Sequence, residues 1–257
     1  MVDRAHLGPL VVQRAFYPEG PKVPHVYVLH PPGGLVGGDA LRLEVSAEPG
    51  AEALVTTPAA TKVYRSAGPA CSSRQRFELS AGAALEWLPQ EIILHDGARV
   101  VLATRADLER GARFVGVETI CFGLPARGET FATGRCRQGF ELWREGRPVV
   151  VERACFDAGE PVHGASWGLA GARVHGLMVV SPAPPREGAT LGRARAAAAA
   201  VAGDRGGLTV VGDGDALLAR YLGPGAEQAR KMFLAVWTVL RPAVLGREAV
   251  PPRIWAT

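Results

Sequence analysis

The sequence predicts a mainly β protein of β-helix-like stacked strands, with a few α-helices toward the C-terminus. Three observations predict it. Gly (32) and Pro (20) are abundant among 257 residues, which favours frequent tight turns and therefore short strands. Apolar and polar residues alternate in Leu41-Arg42-Leu43-Glu44-Val45 and in Arg76-Phe77-Glu78-Leu79, the period-two pattern of a strand with one buried face. A weak repeat of strand, Gly-Ala turn and strand recurs at Gly50-Ala51, Gly82-Ala83 and Gly111-Ala112, spaced by 32 and 29 residues. A repeat of that length suggests stacked β units, each covering the apolar face of its neighbour. An ordinary β-sandwich, whose turns also recur, is the alternative that periodicity leaves open.

Taken in order, residues 10–17 and 25–30 are β-branched and aromatic runs closed by prolines. Each Gly-Ala turn is followed by a further strand, at Leu54-Val55, Leu85-Glu86-Trp87 and Phe114-Val115. After about Gly164 the pattern changes. Residues 174–181 form a strand that enters a Pro-rich turn, and residues 190–202 are Ala-rich and helical. Residues 208–211 and 217–222 are strands. Gly223-Pro224-Gly225 opens a helix that runs to about Leu240 and is stopped by Pro242. This divides the chain into a β-rich body, residues 1–164, and an α/β C-terminal part, residues 165–257, packed on it within one continuous domain.

On the last helix Met232, Phe233, Val236, Trp237 and Leu240 share one face. Ala235 and Val239 make that face wider than one core contact needs, and Leu234 sits in the polar stripe of Arg230, Lys231, Thr238 and Arg241. Core packing explains most of the face, and its excess width leaves room for a protein partner.

Composition sets limits on function. The formal charge is +4, with only three lysines, Lys22, Lys62 and Lys231. Basic residues form no run and no stripe with interleaved aromatics, so nucleic-acid binding is not indicated. Four cysteines, Cys71, Cys121, Cys136 and Cys155, include no C-x-x-C pair, which argues against a structural zinc site. Residues 1–13 contain Asp3, Arg4 and His6 and no apolar core of a signal peptide. No apolar stretch is long enough to span a membrane. The expectation is a cytoplasmic protein with reduced thiols.

The segment His30-Pro-Pro-Gly-Gly-Leu-Val-Gly-Gly-Asp39 resembles a phosphate loop only in composition. Such a loop opens a helix, whereas an alternating strand follows Asp39. Gly33, Gly34, Gly37 and Gly38 are therefore read as backbone positions of positive φ or close chain approach, with Asp39 capping the turn. Along residues 58–66, Lys62, Tyr64 and Ser66 are expected on one strand face and Thr61, Val63 and Arg65 on the other. That arrangement suits an anion, an acidic partner or plain solvent. Glu91, His95 and Asp96 are the nearest approach to an acid/base cluster, and no nucleophile or zinc-protease motif accompanies them. Glu118 and Glu152 lie in apolar strand segments. A carboxylate there is costly to bury unless paired or metal-bound, so the two suit transient binding of a divalent cation. Exposure at an edge or interface is the competing account.

Read together, Gly8-Pro-Leu-Val-Val-Gln-Arg-Ala-Phe-Tyr-Pro-Glu19, His30 to Asp39, Ala60-Thr-Lys-Val-Tyr-Arg-Ser66, Leu85-Glu-Trp-Leu-Pro-Gln-Glu91, Gly128-Glu-Thr-Phe131, Leu240-Arg-Pro242 and Pro252-Arg-Ile-Trp-Ala-Thr257 resemble the UreD (UreH) family of urease accessory proteins. The ordered set covers nearly the whole chain. The resemblance implies a β-helix-like body with helices packed against it. It also implies a non-enzymatic role: binding a helical partner, UreF, which recruits the GTPase UreG, and docking on apo-urease. Nickel would pass transiently through the interior, with no cofactor permanently bound and no nucleic acid or membrane as partner. Glu118 and Glu152 match the family's acidic interior positions, the first often Asp in relatives. His30, Gly33, Gly34, Gly37, Gly38, Asp39, Lys62, Tyr64, Arg65, Trp237 and Arg241 are carried over as family-motif or partner residues. Two departures stand out: relatives usually carry a longer segment before Gly8, and commonly read Leu-Gly-Arg where this chain has Phe122-Gly123-Leu124. Two alternatives to the urease role remain. A carbohydrate-active β-solenoid enzyme would use paired carboxylates, with Glu91 and Asp96 as candidates. An interaction protein without a urease role is the other.

Overall fold

The computed structural model describes residues 3–256. Met1, Val2 and Thr257, which bound the predicted regions and the closing motif, lie outside the described residues. A short strand, β1 (Val11–Val12), leads into three coils. The first coil holds β2 (His25–Leu29), β3 (Gly34–Leu35) and β4 (Ala40–Ala47). The second holds β5 (Glu52–Thr56), β6 (Thr61–Val63) and β7 (Cys71–Leu79), and the third β8 (Ala84–Trp87), β9 (Ile92–Leu94) and β10 (Arg99–Leu108). Equivalent strands pair in parallel from coil to coil: β2–β5–β8, β3–β6–β9 and β4–β7–β10. The body is thus a β-solenoid of about three turns. The repeated Gly-Ala turns build it. Gly50, Gly82 and Gly111 have φ of +68°, +70° and +74°, a region that glycine enters without steric cost. The turns stack directly, Gly50 N–H donating to the Ala81 carbonyl (3.0 Å) and Gly82 N–H to that of Arg110 (3.1 Å).

Two strands close the stack. β11 (Arg113–Phe122) pairs in parallel with both β8 and β9. β12 (Arg135–Arg144) pairs in parallel with β10, and β13 (Arg147–Asp157) returns antiparallel beside it. Beyond them come β14 (Val174–Ser181), α1 (Ala189–Ala202), β15 (Gly206–Val211), β16 (Ala216–Gly223) and α2 (Ala226–Leu245). β14 pairs antiparallel with β11, β16 with β14, and β15 with β16. The result is a large sheet with the main order β1-β2-β5-β8-β11-β14-β16-β15 and an outer sheet ordered β13-β12-β10-β7-β4.

The layers are helices, large sheet and outer sheet. Met178, Leu217, Phe233 and Trp237 pack between the helices and the large sheet. Between the two sheets the core is split. One cluster gathers around Phe77, Phe114, Phe140 and Leu142, and another around Leu94, Leu102, Ile120 and Phe122.

Two local expectations need correction. Of residues 10–17, only Val11 and Val12 form a strand, with a single further bridge between Phe16 and His25. The final helix also runs past Pro242 to Leu245. Proline removes one helical donor, but Val244 and Leu245 are buried in the helix-side core. Gly246, at φ +72°, supplies the stop instead, its N–H donating to the Pro242 carbonyl.

Candidate functional site

A proline cannot donate to a sheet ladder, and each coil places prolines between its first and second strands. Pro31 and Pro32 separate β2 from β3, Pro58 separates β5 from β6, and Pro89 separates β8 from β9. The flanking strands are in parallel register, so the breaks stack into a slot in the pairing of the large sheet. β11 runs past unbroken. Its residues Arg113 to Gly116 pair with β8 and Ile120 to Phe122 with β9, which leaves Val117, Glu118 and Thr119 opposite the slot. A cavity of about 480 Å³ opens here, lined among others by His30, Pro58, Pro89 and Glu118. On the α2 side lies a cavity of about 40 Å³ lined by Glu91, Arg230 and Trp255. The two cavities share Pro89, Gln90, Val117 and Thr119 as a common wall.

Strand alternation turns Glu118 into the space between the sheets, where it is only 6% exposed. Gln138 Nε2 donates a short hydrogen bond to its Oε1. Thr104 Oγ1 lies 3.4 Å from Glu118 Oε2 and 3.2 Å from Gln75 Oε1, and Gln75 Nε2 donates to Ser73 Oγ at 2.8 Å. The single Thr104 hydroxyl proton serves one oxygen at a time, so a protonated Glu118 fits the geometry by donating to Thr104. Burial raises the Glu118 carboxyl to about 7, against the opposing hydrogen bonds from Gln138 and Thr104. Near neutral pH it is poised between charged and neutral forms.

Across the same inward face, Glu118 is followed by Leu177 on β14 and Arg220 on β16. Arg220 forks onto Glu152 of β13, Nη2 to Oε1 at 2.5 Å and Nη1 to Oε2 at 3.3 Å. Glu152 is partly open to solvent, its side chain 33% exposed. His175 lies two residues before Leu177, on the same face of β14, with its ring 5.9 Å from that of Phe156. Its Nδ1 is buried without a hydrogen-bond partner among the described residues. Burial, helped by the Arg220 charge and opposed by Glu152, lowers His175 to about 4, so it is neutral at physiological pH. Ser73, Gln75, Thr104, Gln138 and Glu118 thus form one part of a polar belt, and His175, Arg220 and Glu152 a second, with the buried Leu177 between them where the inter-sheet core is split. Glu118 and Glu152 occupy this layer at different depths and do not bond to each other. Among the described residues, no group of three or more His, Cys, Asp or Glu is arranged to hold a metal ion.

The glycine-rich segment is a backbone device. Gly33 and Gly38 have φ of +79° and +92°. A Cβ on Gly34 would collide with the Tyr64 ring, and one on Gly37 with Ser66 Oγ and the Pro69 carbonyl. Asp39 caps backward: its Oδ2 accepts from Val36 N–H at 2.9 Å. Lys62, Tyr64 and Ser66 do not continue one strand face, because β6 ends at Val63 and the chain turns, Ser66 Oγ donating to the Pro69 carbonyl. Lys62 joins His30 in the wall of the larger cavity. Tyr64 stacks on His95 with ring centres 5.2 Å apart, and His95 Nδ1 lies 3.0 Å from Glu129 Oε2. Asp96 clamps a loop. It accepts from Thr133 N–H (2.7 Å), Ala132 N–H (3.0 Å) and Arg65 Nη2 (2.6 Å), and these bonds, led by Thr133, hold its carboxyl below the ordinary value. Glu91 instead faces the α2-side cavity, so these acidic groups have separate structural settings.

Trp237 and Arg241 correct the reading of the last helix. Arg241 belongs to no exposed polar stripe; it is fully buried, and Trp237 is 1% exposed. Arg241 Nη2 meets Glu86 Oε2 at 2.8 Å and Glu19 Oε1 at 2.6 Å. Trp237 Nε1 donates to Glu86 Oε1 at 2.6 Å, and Glu19 Oε1 lies 2.6 Å from His25 Nε2. Burial pushes the Glu19 carboxyl up, but hydrogen bonds from Arg241 and His25 outweigh it and hold it below the usual value. Neither side chain is a surface contact for a partner. The network's acidic members escaped the sequence reading, although Glu86, between Leu85 and Trp87, carries the same signal as Glu118.

Fold and site together define a β-solenoid protein with a slotted sheet and a polar, partly ionisable interior. Comparison with known sequences gives the family. Residues 1–256 match the profile described as UreD urease accessory protein. The chain is 45% identical over 257 residues to the urease accessory protein UreD of Alkalilimnicola ehrlichii, covering 100% of this chain and 86% of that one. It is 43% identical to that of Dechloromonas aromatica, with 99% and 88% covered, and 44% identical to that of an Azoarcus species, with 100% and 88% covered. The chain belongs to the UreD family of urease accessory proteins.

Proposed function

We propose that this chain is a non-enzymatic scaffold and nickel conduit in urease maturation. It works in the cytoplasm, in complex with UreF-like and UreG-like proteins, and docks on apo-urease. The observation that carries the reading is Glu118 at the closed end of the proline slot, with the larger cavity in front of it and the polar belt leading to Glu152. Nickel is borderline in softness, and carboxylate oxygens hold it more loosely than imidazole or thiolate ligands do. A path must bind its ion well enough to admit it and weakly enough to release it. Sparse carboxylates meet both needs, and a closed His/Cys cage meets only the first.

The chemistry follows from the protonation state of Glu118. A nickel ion reaching it displaces a proton that the buried carboxyl already holds loosely at neutral pH, so desolvating a permanent negative charge is not required. Farther along, Arg220 neutralises Glu152. A cation arriving there competes with a guanidinium, which limits how long it stays. The GTPase partner supplies the driving step, and this chain supplies the path and the docking surfaces.

The test is urease activation in cells carrying Glu118→Ala and Glu152→Ala together, with chain abundance and complex assembly monitored. The expected result is loss of activation and of urease-bound nickel while the complex still assembles. Full activation with unchanged nickel content removes both residues from the path.

A further inference from the structure

On the solvent face of the outer sheet, arginine stands beside arginine. Arg42 is the register partner of Arg74, Arg76 of Arg105, and Arg99 of Arg135. Like charges directly opposite on neighbouring strands oppose pairing, and Asp107 relieves only the Arg76–Arg105 pair from both sides. Carboxylates on the same face offset part of the repulsion: Glu44 pairs with Arg42, Glu78 and Asp107 with Arg76, Asp107 and Glu141 with Arg105, Asp157 with Arg135, and Glu141 also with Arg153. Arg74, Arg99 and Arg137 make no ion pair among the described residues.

The face also has a shape. One register row reads Arg42–Arg74–Ala103–Gly139–Arg153 across all five strands. Ala103 and Gly139 are small and form part of the floor of a trough of about 500 Å³ bordered by Arg42, Arg74, Arg76 and Arg105, with Glu141 as its one carboxylate. With strands about 4.8 Å apart, the row is about 19 Å long, the reach of about six extended residues. Beside its far end, Val151 is 49% exposed.

We infer that this trough is a docking surface for an acidic segment of a partner protein, laid across the strands. Its carboxylates meet Arg42 and Arg74 at one end and Arg153 at the other, and an apolar side chain rests over Gly139 toward Val151. A nucleic acid fits less well. The next row, Glu44–Arg76–Arg105–Glu141–Val151, places carboxylates where a phosphate at every link would meet them. A peptide can space its charges to meet arginines alone. The trough backs onto the polar belt across the same strands, Gln75 and Thr104 contributing to both, but its test reads peptide binding and needs neither nickel nor urease, so the two readings fail independently.

The experiment is fluorescence anisotropy of the full chain with a labelled peptide Glu-Glu-Ala-Leu-Ala-Glu, its carboxylates confined to the two ends of the row, against a counterpart with Lys for Glu and a six-nucleotide oligothymidine. The acidic peptide is expected to bind in a salt-dependent manner. Arg42→Glu with Arg74→Glu should weaken it about tenfold or more. Gly139→Leu, which fills the trough without changing charge, should weaken it several-fold. A Cβ at Gly139 meets only ordinary contacts, 3.9 Å from the Glu152 carbonyl oxygen, so that variant is expected to fold. Arg193→Glu with Arg195→Glu, on α1, should leave binding unchanged. The inference is overturned if the acidic peptide does not bind or if the oligonucleotide binds as tightly. It is equally overturned if the α1 variant weakens binding as much as the sheet variant, or if either trough variant binds like the native chain.

Discussion

Arg241 of α2 and Glu86 of β8 stand 155 positions apart in the chain and meet as a fully buried ion pair, Nη2 to Oε2 at 2.8 Å. Glu19, from the segment before β2, accepts from both Nη1 and Nη2, and Nη1 also donates to the Glu248 carbonyl. One side chain therefore ties the N-terminal segment, the third coil and the last helix together.

Removing that cation leaves Glu86 and Glu19 with Trp237, His25 and the more distant Arg247, 3.6 Å from Glu86 and 4.0 Å from Glu19, as partners. Arg241→Met is expected to cost about 3–5 kcal/mol, the usual penalty for breaking a buried pair from one side. Replacing Glu86 by Leu in the same chain should recover part of the loss, because an apolar pair needs no compensation. Denaturant unfolding of the single and double variants at pH 7 measures both, and a double variant less stable than Arg241→Met contradicts the account.

Glu118 should make stability fall as pH rises. Its folded pKa, about 7, lies above the ordinary 4.5, so the folded chain holds the proton more tightly than the unfolded one. Its contribution is fully present below about pH 4.5 and is lost as pH rises through 7. Glu118→Gln should therefore gain on the native chain with rising pH, by up to about 3 kcal/mol at pH 8. Parallel stability curves for the two chains from pH 4.5 to 8 would show that the carboxyl is not held this way.

His175 should act in the opposite sense. Its folded pKa of about 4 lies below the ordinary 6.5. The unfolded chain takes up the proton first, and stability is lost as pH falls from about 6.5 toward 4. His175→Gln should flatten this acid limb, with the gap between the chains changing by about 3 kcal/mol over that window. Thermal melts at half-unit intervals read the slope directly, and an unchanged slope counts against burial as its cause.

The two kinds of glycine in the loop before β4 should respond differently. Gly34→Ala drives a methyl group into the Tyr64 ring and should cost about 1–3 kcal/mol; Tyr64→Ala in the same chain should relieve most of it. Gly33→Ala meets open space but sits at φ +79°, where a Cβ costs about 1–2 kcal/mol, and Tyr64→Ala should leave that cost unchanged. A double-mutant cycle at each position separates collision from backbone strain.

Much of the body was legible because its constraint is local. Gly50, Gly82 and Gly111 must turn left-handed, few residues can do so, and the repeat survives in the letters. The alternation through Leu41 to Val45 likewise states which side faces inward. The polar interior was less legible. Glu118 and Glu152 stood out as carboxylates among apolar neighbours, yet Glu86 and His175 carry the same mark, and only the three-dimensional partner tells a pair from a path. Arg241 read as solvent-facing because helical spacing places it beside Lys231 and Thr238, and Glu19 is too distant in sequence for a pattern to join them. Pro31, Pro58 and Pro89 read as three separate strand ends. They lie 27 and 31 residues apart, a spacing too uneven to announce that they stack.

The slot those prolines create is bounded by missing amide donors, and its width belongs to the backbone. Sealing the slot would require new donors in adjacent coils at once, which no single codon change supplies.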